Sequence, residues 1–120
     1  MRQQHERLLG LRSCNVTRPE LVDKYGYDTK YAAHIIRLGM QGEEILLTGK
    51  ISLPMPDEQR EMIRSIRLGA YSLSEISKQI QEAEQKLPAA LSKSPLPGWP
   101  KSGVVEKWMV NQYLNFWKTL

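Results

Sequence analysis

The chain has one cysteine, one phenylalanine, two histidines and three aspartates, and each scarcity removes a class of function. Cys14 alone permits neither an internal disulfide nor a cysteine-cluster metal site, and it fits a reducing compartment. Nothing flanking Cys14 resembles a nucleophile turn, so it reads as a structural thiol. His5 and His34 are too few and too far apart for a zinc motif. Asp23, Asp28 and Asp57 include no Asp-x-Asp pair, so the carboxylate cradle that two-metal nucleotidyl transfer requires is missing. Glu43 and Glu44 are adjacent, point about 100° apart on a helix, and read as a solvated pair. There is no Walker loop and no Gly-x-Gly-x-x-Gly. No apolar run approaches the roughly 20 residues of a membrane helix, and the opening MRQQHERLLG lacks the apolar stretch of a secretory leader. These absences predict a cytoplasmic protein with no metal, no cofactor and no membrane association.

What remains is ordinary in amount and uneven in placement. A length of 120 residues suits one domain, and 41% hydrophobic with 25% charged residues suits a globular one. The formal charge is +4 and the pI about 9.3, a bias toward anionic partners: nucleic acid, nucleotides or acidic protein surfaces. No run of five like charges occurs, so a binding face has to be assembled by folding.

The punctuation predicts helices. A short one spans Gln3 to Leu9 and ends at Gly10. Thr17 and Glu20 form a capping box, with Pro19 in the first turn of a brief helix ending near Tyr25 and Gly26. Asp28 or Thr29 caps the next, in which Tyr31, Ile35 and Leu38 recur at i, i+4, i+7 with Ala32 and Ile36 alongside, the stripe of a buried face. Gly39 and Gly42 interrupt it, leaving a further short helix from Gly42 to Thr48. Lys50 to Leu53 reads as a short extended segment. Asp57 caps a helix with Met62, Ile63 and Ile66 on its apolar side and Gly69 at its end. Ser72 and Glu75 form another capping box, opening a helix of Leu73, Ile76, Ile80, Ala83 and Leu87 that Pro88 ends. Residues 92–103 hold three prolines and read as a loop. The last helix, Val104 to Leu120, is apolar on most faces and is expected to be buried or covered by a partner. The expected fold is mainly α: one domain over 1–120, five or six helices, little or no sheet.

Lys30, His34 and Arg37, at i, i+4, i+7, leave one side of the second major helix and are placed to contact successive phosphates; a solvated basic face is the plainer alternative. Arg18 and Lys24 add to the field. Arg60, Arg64 and Arg67 repeat the spacing on the Asp57 helix, where Glu61 suggests ordinary surface pairing. Trp99, Trp108 and Trp117 fit either base stacking or, more commonly, a core or interface.

The segment RPELVDKYGYDTKYAAHIIRLGMQGEEILLTGKISLPMP, followed by IRLGAYSLSEI, resembles the C-terminal helical half of the predicted nucleotidyltransferases of the DNA polymerase beta superfamily, in the family associated with RNA repair. The resemblance runs from Leu11 to Trp117 and is most specific from Lys24 to Leu38. It implies that a helical half closes over nucleotide and acceptor, with Tyr27, Asp28, Lys30, His34 and Arg37 at the matching positions and Lys30 and Arg37 facing triphosphate or backbone. The family's Gly-Ser turn and paired aspartates have no counterpart here, which implies either a separate catalytic half as partner or a free-standing module. The expected function is a non-catalytic nucleotidyltransferase-like module that binds nucleic acid or nucleotide phosphates through Lys30, His34, Arg37, Tyr27, Asp28 and Lys24. The alternative is a protein-interaction module, such as a phage-type inhibitor of a host enzyme or defence complex, or a homodimer, using Trp108, Tyr113, Phe116 and Trp117.

Overall fold

The computed structural model describes Glu6, Leu8, Leu9 and residues 18–120. Within residues 18–120 five helices follow one another: α1 (Pro19–Tyr25), α2 (Thr29–Thr48), α3 (Asp57–Arg67), α4 (Leu73–Lys93) and α5 (Ser102–Lys118). No strand occurs among the described residues, so the fold is mainly α as the pattern predicts. Lys50 to Leu53 runs as irregular chain. The capping box at Thr17 lies outside the described residues, as do Cys14 and most of the Gln3 to Leu9 segment, of which Glu6 and Leu8 are helical.

Caps set the element starts. Asp28 accepts the Tyr31 N–H at 3.0 Å and holds the first turn of α2. At α4 the reciprocal box is complete: Glu75 N–H donates to Ser72 Oγ at 3.2 Å, and Ser72 N–H to Glu75 Oε2 at 2.7 Å. Asp57 differs from its expected role. It stands inside α3 after Pro56 and accepts from Arg60 Nη2 at 2.6 Å instead of capping.

Three expectations are corrected by packing. First, α2 is continuous for 20 residues through Gly39 and Gly42. Both glycines face α4, where a Cβ on Gly39 would sit 3.0 Å from Ala83 Cβ, and one on Gly42 would sit 3.1 Å from Leu87 Cδ2. Their lack of a side chain lets two long helices approach closely, and that contact outweighs the roughly 1 kcal/mol that glycine costs inside a helix. Second, α4 passes through Pro88 to Lys93. Pro88 is exposed while Ala90 is buried and Leu87 packs toward Gly42, so burial on both sides of the proline offsets the one ladder bond it forgoes. Third, the inner line of α2 is Ala32, Ala33 and Ile36; Tyr31 and Ile35 are half-buried and Leu38 is exposed. The helix is rotated so that Gly39 and Gly42 meet α4.

The core joins Leu8, Tyr27, Ala32, Ala33, Ile36, Ile66, Ile76 and Ile80. Helix α2 is its axis, packed most extensively on α4 and then on α3 and α1. Helix α5 takes no part: every residue of it is exposed, so of the two expectations for so apolar a helix, burial within the chain does not hold.

Candidate phosphate-binding groove

Lys30, His34 and Arg37 do not splay apart. They share a solvent-open groove of about 180 Å³ with Ala33 from the same helix and Ile63 and Arg67 from α3. The two apolar side chains face the packed interior, Ala33 fully buried and Ile63 half-buried. Among the described residues the polar lining is cationic or imidazole, with no carboxylate. None of Lys30, Arg37 and Arg67 forms an ion pair among the described residues. Three uncompensated cations around one hollow repel one another, and an anion relieves that repulsion.

Arg37 is held in place. Its Nη2 lies 2.9 Å from His34 Nδ1. A guanidinium carries only donors, so Nδ1 must accept, which puts the imidazole proton on Nε2. His34 therefore orients the fork and keeps one N–H of its own for another acceptor.

The other expected site residues fall elsewhere. Tyr27 is fully buried, and its hydroxyl donates to the Tyr71 carbonyl at 2.7 Å. Burial, then the charge of Glu75, raises its pKa above the ordinary 10.0 and keeps the phenol protonated. Asp28 is buried too, bonded to the α2 cap and to Arg18 Nη1 at 3.1 Å, while its own N–H donates to the Leu8 carbonyl at 2.7 Å. These two residues fix where α2 starts and how it is turned, and so aim Lys30. Lys24 lies on α1 with its ammonium 5.1 Å from the Tyr25 ring centre, outside the groove. Trp108, Tyr113, Phe116 and Trp117 are all exposed on α5; the Tyr113 and Trp117 rings are 6.0 Å apart at 42°.

Arg67 is the member that sequence reasoning treated separately. The signal was present: Arg67 ends the second basic stripe and stands one turn beyond Ile63 on the apolar side of α3. Arg60, by contrast, is tied to Asp57. Only the packing of α2 on α3 brings the end of one stripe to the other.

Among the described residues no group of three His, Cys, Asp or Glu side chains is placed to hold a metal ion, and no helix is long and apolar enough to cross a membrane. Comparison of the chain with protein-family models, curated proteins and solved structures finds no match.

Proposed function

We propose that this chain is a non-catalytic, nucleotidyltransferase-like helical module that binds the phosphates of a nucleic acid through the groove between α2 and α3. The observation that carries this reading is the meeting of Lys30, His34, Arg37 and Arg67 around one hollow without a carboxylate. The Arg37 fork, oriented by His34, matches two non-bridging phosphate oxygens; Lys30 and Arg67 supply flanking charge, and the half-buried Ile63 offers an apolar contact to a sugar. At about 180 Å³ the groove is smaller than the roughly 300 Å³ at which pockets begin to enclose whole small molecules, which favours a backbone phosphate over an engulfed nucleotide. The resemblance to the nucleotidyltransferase helical half, most specific from Lys24 to Leu38, supports the same polymer context, and a separate catalytic half is the partner such a module would serve.

A salt titration of binding to single-stranded RNA and DNA tests it. Three phosphate contacts predict a log–log slope of roughly −2 to −3, and Lys30→Ala/Arg37→Ala is expected to reduce its magnitude by about 1.5. Undetectable binding at low salt, or unchanged affinity in that double variant, overturns the proposal.

A further inference from the structure

Helix α5 carries an apolar face that no other element covers among the described residues. At roughly 100° per residue, Val105, Met109, Tyr113 and Phe116 fall on one line, and Val110 and Trp117 widen it. The far side holds Lys107, Asn111, Asn115 and Lys118 together with Val104, with Leu114 and Trp108 at its edges. The six apolar side chains are each 48% to 60% exposed, which amounts to roughly 700 Å² of surface on a single face, close to the approximately 800 Å² that each partner of a standard stable interface contributes.

We propose that this face is a self-association surface, on which α5 pairs antiparallel with α5 of a second copy of the chain about a two-fold axis. A two-fold interface requires a patch that coincides with its own reversal. Reversed about the point between 112 and 113, helical positions 109 and 116 of the apolar line exchange places and 113 falls beside the axis. Met109 of one copy then meets Phe116 of the other, and the two Tyr113 rings flank the axis beside their Trp117 neighbours. The charges of α5 are few, Glu106, Lys107 and Lys118, so two copies repel weakly.

Sedimentation equilibrium of the chain across about 1 to about 200 µM is expected to show a reversible rise from 13.8 kDa toward twice that mass, with a blue shift of tryptophan emission over the same range. Phe116→Glu is expected to raise the dissociation constant about a hundredfold or more with helix content unchanged, because Phe116 is exposed in the single chain. Orientation is read by oxidative cross-linking in a Cys14→Ser background. Tyr113→Cys is expected to link the two copies. Met109→Cys is not, because antiparallel pairing separates the two positions by about 10 Å along the axis, beyond the reach of a disulfide. A chain that stays monomeric throughout overturns the proposal, whether its tryptophans remain in water or shift on adding anionic lipid vesicles. So does a dimer that survives Phe116→Glu, or one that cross-links equally through Met109→Cys.

Discussion

Tyr27 shows how one side chain can look functional in sequence and be structural in the fold. Its hydroxyl completes a buried bond to Tyr71, and its raised pKa gives that bond a pH limit. Above pH 10.0 the unfolded chain releases this proton more readily than the folded one, so the stability the phenol contributes is full below that value and declines as pH rises toward the folded pKa. Tyr27→Phe is expected to cost about 1–2 kcal/mol at pH 7, by leaving the Tyr71 carbonyl unpaired, and to flatten that alkaline decline in urea titrations. The groove offers a second contrast between neighbours. If the groove binds phosphate as proposed, Arg37→Ala is expected to lower the salt slope by about 0.8, whereas His34→Ala only loosens the fork and is expected to weaken binding a few-fold at an unchanged slope. Gln79 is a liability: its Oε1 is buried without a hydrogen-bond partner beside a hollow of about 100 Å³ between α2 and α4. Gln79→Met keeps the shape and removes the orphaned acceptor, and thermal unfolding is expected to show a gain of about 1 kcal/mol.

Between elements, the two glycines of α2 separate what packing demands from what it tolerates. A Cβ at Gly39 would press on Ala83 Cβ, fixed to the α4 backbone, so Gly39→Ala is expected to push the helices apart and cost about 1–2 kcal/mol, with Ala83→Gly restoring most of it. A Cβ at Gly42 would meet only the end of the Leu87 side chain, which can rotate away. Gly42→Ala is therefore expected to be neutral or to gain several tenths of a kcal/mol from helix propensity. The same pair explains what could be read from the sequence. Caps at Asp28 and at Ser72 with Glu75 were legible because cap and capped N–H lie three residues apart. Glycine carries two meanings, chain reversal and close approach, and only the neighbour across the interface decides between them. Pro88 was misread for a related reason, since the contacts that hold α4 together around it come from α2.

At the level of the whole molecule, the basic stripe on α2 was visible in the sequence, but its completion by Arg67 depends on a helix 30 residues away and was not. The exposure of α5 was equally hidden, because an apolar helix gives no sign of whether its cover belongs to its own chain. The radius of gyration is 19.0 Å, against roughly 14 Å for a closely folded chain of this length. Cutting the chain in the exposed stretch between Ser94 and Lys101 is accordingly expected to leave the melting temperature of the remaining helices within about 2 °C at concentrations where copies do not associate, and to leave the salt slope of RNA binding intact.

Helix α5 also bears on how this protein can change over generations. Its side chains are exempt from the filter that folding imposes on Ile36 or Ile76, so random substitution would gradually turn a seventeen-residue segment polar unless an outside contact removed such variants. Its recognition face can therefore be rewritten in lineages without disturbing the scaffold that presents the cationic groove.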